Sequence, residues 1–226
     1  MKIETNNKKI KNSSKENGSF TTPRNLDEHG VIYFSGEVDG STIAPVIKFI
    51  LEANLDASCE WDHIDLIINS EGGLCTDGFA LIDIMFGSRI PIYTIGIGQI
   101  SSMALSIFLA GEKGHRVLTP NCMILSHQFY TGYAGKEHEL LSDRNRIDIL
   151  SKNIMRHYQR TTGLTEKEIS EYLLPPHDVW LTATEAKKLG ICDVIKDLKP
   201  RHLIKDTKKT SNKSKKKTTK ATKKKK

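Results

Sequence analysis

Three times in succession a short β-branched run is followed by an amphipathic stretch. VIYFSG from residue 31 precedes residues 42–53, IDLIIN from residue 64 precedes 77–86, and PIYTIGIG from residue 91 precedes 102–110. Strand then helix, repeated, confines the chain to α/β architectures, because each helix must cover the sheet its strand enters. Two shorter apolar runs, at 116–118 and 123–126, lead into the glycine-containing TGYAG. A long helical pattern then spans 136–160, with Leu140, Leu141, Ile147, Ile149, Leu150 and Ile154 set among charges. Capping boxes at Thr165 with Glu168 and at Thr182 with Glu185 open two more helices, Gly190 ends the second, and ICDVI reads as a closing strand.

The charge is distributed unevenly. The chain of 226 residues carries a formal +7, but residues 205–226 hold 12 lysines and one acid, a local +11. Residues 1–30 add +2, so residues 31–204 carry −6 and the basic balance belongs to the tail. Both ends lack the large apolar side chains needed to offset ordering entropy. The expected organisation is a flexible polar arm over 1–25, one folded domain over 26–204 and a disordered Lys-rich tail over 205–226. The tail has a plain reading as a solubilising extension and a sharper one as an anchor for nucleic acid or an acidic partner. No aromatic is interleaved with the lysines, so base stacking is not indicated.

Several function classes drop out. Cys59, Cys75, Cys122 and Cys192 are widely spaced, with no C-x-x-C pair and no Cys/His cluster at zinc spacing, so reduced thiols and no metal are expected. GxGxxG and GxxxxGK[ST] are absent, which leaves nucleotide or other cofactor binding by this chain without support. The first twenty residues lack the apolar run of a secretory signal, and no apolar stretch approaches a membrane span. A soluble, cytoplasmic protein without membrane partners is the expectation.

Small residues at two strand-to-helix junctions, INSEGGL (68–74) and GQISSMA (98–104), place backbone N–H groups and a hydroxyl where an oxyanion could develop. Alone, Ser101 or Ser102 serves equally as a helix cap, and Gly72-Gly73 as a tight turn. His127 follows an apolar run in MILSHQF, and Asp178 precedes Trp180 in PPHDVWLTATEA; each has an ordinary structural explanation too. His115, His138 and His157 read as solvated surface residues.

In combination, these words resemble the Clp protease proteolytic subunit family. INSEGG is similar to the family's NSPGG, GQISSMA to GQAASMG, AGEKGHRVLTPN to AGxKGxRxxLPN, and HDVWLTATEAKKLGICD to RDxFMSAxEAxxYGLID, with the His127-Gln128 pair between them. The resemblance runs from about 31 to 194. It implies a Clp/crotonase-like fold of ββα spiral units with a protruding helical arm, the 136–160 helix. It assigns Ser102 as nucleophile, His127 as general base and Asp178 as the acid that orients it, with the N–H groups of Gly73 and Met103 forming the oxyanion hole. It further implies self-assembly into heptameric rings stacked as a tetradecamer. Unfolded polypeptides would be delivered by an AAA+ Clp-type ATPase that hydrolyses the ATP. Two alternatives stay in view: a non-catalytic ring or scaffold subunit, and a crotonase-fold acyl-CoA enzyme.

Departures from the family words have expected consequences. Glu71 replaces a proline beside the oxyanion glycines, which favours basic or neutral substrates or lowers activity. Ser101 replaces an alanine, and Ala104 a glycine. Phe129 and Thr131 replace a proline and a glycine after His127, in the segment of ring-to-ring contact. His177 stands for an arginine beside the catalytic acid and would make that contact pH-sensitive. Asp65, Gly87 and Thr119 fall where the family presents Tyr, Phe and Leu to its ATPase.

Overall fold

The computed structural model describes residues 25–132 and 134–199. The Lys-rich tail and all of the N-terminal arm except Asn25 lie outside the described residues. The expected alternation is present: β1 (Val31–Val38) leads to α1 (Gly40–Leu55), β2 (Ile64–Gly73) to α2 (Cys75–Gly87), and β3 (Ile92–Ser101) to α3 (Met103–Leu109). Asp39 caps α1 by accepting from the Ser41 and Thr42 amides, while the Thr42 hydroxyl accepts from the Asp39 amide.

These strands join β4 (Val117–Leu118), β5 (Met123–Ser126), β6 (Val179–Thr182) and β7 (Val194–Ile195) in one sheet. The order β1-β2-β3-β4-β7 is parallel throughout. β3 is forked: its Ile95 and Gly96 pair with β4, and its Gln99 to Ser101 pair with β5. β6 runs antiparallel to β5 and was not legible in the sequence, where VWLT lies between a Pro-Pro turn and a capping box.

Burial explains the composition of the central strands. β2 is covered on both sides over Ile64 to Ile67, as its near-continuous apolar run requires. On one face, α1, α2 and α3 pack a large core through Ile43, Ile50, Leu81, Leu105 and Phe108 against Phe34, Leu66 and Ile68. α3 is buried at all seven positions rather than amphipathic, because it is enclosed by β2, β3, α2 and α4. On the other face, Val31, Ile67, Ile95 and Val117 form a small row bordered by Ile97, Val194 and Leu198, with no helix residue in it.

α4 (Glu137–Thr162) is the expected long helix. Its buried residues, Ile154, His157, Tyr158 and Thr161, all lie in its second half, while Leu140, Leu141 and Ile149 are exposed in the first. α5 (Glu166–Tyr172) and α6 (Ala183–Lys188) start at the two expected capping boxes, and Gly190 follows α6 at φ 72°. Arg116, nearly wholly buried, makes two side-chain bonds to Asp193 and donates to the Thr161 carbonyl, so β4, β7 and the end of α4 are fastened at one point. All four cysteines are free thiols, and burial pushes Cys122 up to about 12 and Cys192 up to about 11. Among the described residues no helix is long and apolar enough to cross a membrane.

Candidate active site

Parallel strands bring their C-terminal ends to one edge of a sheet. Here β2 ends in Gly72-Gly73, β3 in Ser101, and β5 in Ser126. Because β6 is antiparallel to β5, it starts at that same edge, with Val179 opposite Ser126. The next residues outward, His127 and Asp178, therefore face each other across the pair. Register thus brings to one edge of the sheet four segments far apart in sequence, which carry Gly73, Ser102 with Met103, His127 and Asp178.

Ser102 is the only non-glycine with positive φ among the described residues, at φ 54° and ψ −123°. A conformation of this kind costs on the order of 1–3 kcal/mol and persists only where the surroundings fix it. The Ser102 amide donates to the Leu125 carbonyl of β5 at 2.9 Å, and its own carbonyl accepts from Leu105 at 3.0 Å. The chain thereby turns sharply from β3 into α3. The hydroxyl of Ser102 has no hydrogen-bond partner among the described residues, and the Met103 amide lies in the first turn of α3, where no carbonyl of the helix can reach it.

The glycine pair adjoins this turn. At Gly72, a methyl group would lie 2.6 Å from the Ser101 carbonyl oxygen, 2.7 Å from Ser102 Cβ and 3.0 Å from the Met103 nitrogen. At Gly73 it would collide with Val38 of β1. Both glycines have positive φ, 94° and 150°. Gly73 was selected from the sequence as a donor, whereas the closeness of Gly72 to the serine was missed; the doubled glycine is the signal for it.

His127 is partly exposed, and its Nδ1 stands 3.8 Å from Oδ1 of Asp178, which is 63% exposed. That separation is longer than a hydrogen bond. The residues on either side of the histidine are tied down: Ser126 donates to the Leu173 carbonyl at 2.6 Å and Gln128 to the Leu174 carbonyl at 2.9 Å. The segment that precedes Asp178 thus holds the segment that carries His127.

The Clp protease family model matches residues 14–199. The chain belongs to the Clp protease family. It is accordingly a hydrolase subunit of the Clp proteolytic type, a kind that works as an oligomer and alongside a Clp ATPase.

Other features of this Clp protease subunit bear on the expectations. Glu71 is exposed and, with Glu37, Asn69 and Gln99, lines a cavity of about 590 Å3 that reaches Gly72 and Gly73. On the helix-free sheet face, Asp65 is buried rather than presented, with His63 Nε2 3.4 Å away, and Tyr93 is stacked between His63 and His115 at 4.1 and 3.8 Å. Thr119 is half-buried, its hydroxyl donating to the Gly96 carbonyl, and Gly87 is exposed. His115 and His138 are exposed as expected, but His157 is not. It is 5% exposed, inside the core, because Phe79 and Phe86 of α2 close over it. Among the described residues no three His, Cys, Asp or Glu side chains form a metal-binding group.

Proposed function

We propose that this Clp protease subunit is a serine endopeptidase that cleaves unfolded polypeptides to short peptides, with Ser102 as nucleophile, His127 as general base and Asp178 as the acid that orients it. The forced backbone of Ser102 carries the reading. A serine held at positive φ on a strand-to-helix turn, hydroxyl unengaged and with Gly72 packed against it, is arranged for attack rather than for capping.

Neutral His127 would take the Ser102 proton as Oγ bonds to the scissile carbonyl carbon. The oxyanion then forms against the amides of Gly73 and Met103, each donor in such a hole being worth roughly 10²–10³ in rate. The imidazolium returns its proton to the departing amine, and water, deprotonated by the same imidazole, releases the acyl group from Ser102. Asp178 accepts from Nδ1–H and stabilises the imidazolium. The 3.8 Å gap between them closes by about 1 Å when the site is engaged, since catalytic hydrogen bonds often tighten only in the complex.

The same reading takes the subunit into heptameric rings stacked as a tetradecamer, with the sites enclosed. A cytoplasmic AAA+ Clp-type ATPase threads substrate inward and consumes the ATP, so this chain needs no cofactor of its own.

The test is to treat the purified chain, with Ser102→Ala and His127→Ala beside it, with a fluorophosphonate probe and a fluorogenic peptide while particle size is followed by light scattering. Labelling and cleavage by large particles, both lost in Ser102→Ala, is the expected result. Large particles that never label would instead make this a scaffold subunit, and acyl-CoA turnover that survives Ser102→Ala would make it a crotonase-type enzyme.

A further inference from the structure

The last carbonyls of any helix need partners from outside its own ladder. In α3, the helix that begins at Ser102, the Ile107 carbonyl accepts from the Ala110 amide at 3.1 Å. The Phe108 carbonyl accepts from the Gly111 amide at 3.2 Å and from the Thr94 hydroxyl at 2.8 Å. The Ser106 carbonyl is met by a side chain of another helix: Nε2 of His157 in α4, at 2.8 Å.

A histidine is an expensive choice for that place. The ring of His157 lies in the core between Phe79 and Phe86, with centroids 6.1 and 6.0 Å away, and burial drives it to the neutral form. A neutral imidazole bonded to a carbonyl through Nε2 carries its proton there, so the ring donates to Ser106. An apolar side chain would fill this space without the desolvation cost, but would leave the Ser106 carbonyl unpaired beside the nucleophile's helix.

The next residue of α4 reaches the other half of the site. Tyr158 is buried, and its hydroxyl faces the side chains of Ser126 and Ser106. Ser126 immediately precedes His127, and Ser106 lies one helical turn beyond Ser102. Two consecutive residues of α4 therefore reach both segments that carry the proposed nucleophile and base, His157 by a hydrogen bond and Tyr158 by packing.

We propose that His157 is a positioning residue which, with Tyr158, holds α3 and β5 in the mutual placement that lets Ser102 and His127 address one substrate carbonyl. This rests on the serine-peptidase reading above. It goes beyond that reading by placing the control of site geometry in a polar pair on the buried half of the long helix.

The experiment compares the full chain with His157→Leu, which fills the space without a donor, and His157→Gln, which restores an N–H at similar reach. Peptide kcat and KM, the fluorophosphonate labelling rate and amide hydrogen exchange across residues 102–109 are read in each. The expected outcome for His157→Leu is a fall in kcat and labelling of about tenfold or more with KM within about twofold, since small misplacements of reacting groups cost rates of this order. Exchange should rise locally in α3, and both effects should be largely reversed in His157→Gln. The proposal is overturned if the leucine and glutamine variants behave alike, or if exchange changes evenly over the domain. Should wild type neither label nor cleave, the peptidase reading fails, and the exchange comparison still decides whether His157 holds α3.

Discussion

Gly72 and Ser102 leave no room between them: a methyl group on the glycine would lie 2.7 Å from Ser102 Cβ, closer than unbonded carbons approach. Gly72 also has φ 94°, which an L side chain rarely adopts. Gly72→Ala therefore pushes the β3–α3 turn off its position from the side of the proposed oxyanion hole. The expected effect is a loss of at least about 10² in labelling rate, comparable to removing an oxyanion donor. Circular dichroism and particle size should remain close to wild type, and an alanine variant that labels at the wild-type rate would remove Gly72 from the site.

Gly73→Val has a different origin and should look different. The added side chain strikes Val38 on the neighbouring strand, at the place where β1 and β2 pair. Stability as well as activity should fall, seen as a lower urea midpoint; in Gly72→Ala, which also meets backbone and a left-handed φ, the midpoint should fall too, with the loss of labelling per folded molecule the larger effect.

His157 makes stability depend on pH in a defined direction. Its ordinary value is 6.5; burial first, and Arg160 with it, lower this to about 4, against the Ser106 carbonyl and Asp83, which favour the proton. The unfolded chain therefore binds a proton here that the folded chain refuses. The contribution is complete above about pH 6.5 and is lost as the pH falls toward 4, to a total on the order of 3 kcal/mol. Urea unfolding at pH 7.5, 5.5 and 4.5 should show a steeper fall for wild type than for His157→Leu. Parallel lines would mean that the ring is not buried neutral.

How far the sequence could be read follows from which constraints are local. The strand and helix alternation, the two late capping boxes and the long helix all depend on neighbours within a few residues, and each lies close to its expected place. The proposed site residues were reachable only through several family words in one order, because Ser102, His127 and Asp178 lie on segments that only sheet register brings to one edge, which no single segment encodes. Two things escaped for the same reason. VWLT is too short to signal a strand until β5 lies beside it, and His157 looks like a surface residue of a charged helix until Phe79 and Phe86 close over it.

Arg116 and Asp193 are another such pair, 77 residues apart. Burial raises the Asp193 carboxyl, but the hydrogen bonds from Arg116 and the Gly114 amide outweigh it and hold the group below its ordinary value. Arg116→Leu removes one partner and strands the other, at an expected cost of about 3–5 kcal/mol. The double change Arg116→Leu with Asp193→Leu should recover part of that loss, because no uncompensated charge is then left. Equal midpoints for the single and double variants would show that the ion pair contributes nothing beyond packing.

Glu71 bears on what the site accepts. It stands where the family has proline, and with Glu37 it gives the cavity beside Gly72 and Gly73 two carboxylates and, among the described residues, no cation. A peptide drawn along that edge meets a negative field, so Lys or Arg flanking the cleaved bond should be favoured over Asp or Glu. Both carboxylates face solvent, so each should shift the ratio of kcat/KM for basic over acidic peptides by only about 2–5-fold, and salt should reduce the preference. Glu71→Gln, which keeps shape and removes charge, should lower that ratio, and Glu37→Gln should lower it further. The measurement is kcat/KM for matched Lys and Glu peptides at about 0.05 and 0.5 M salt, above and below the range where a field of this reach is screened. A ratio that ignores both substitution and salt would mean that Glu71 affects only the shape of the turn. In that case Glu71→Pro, which restores the family's residue, should change turnover of both peptides alike.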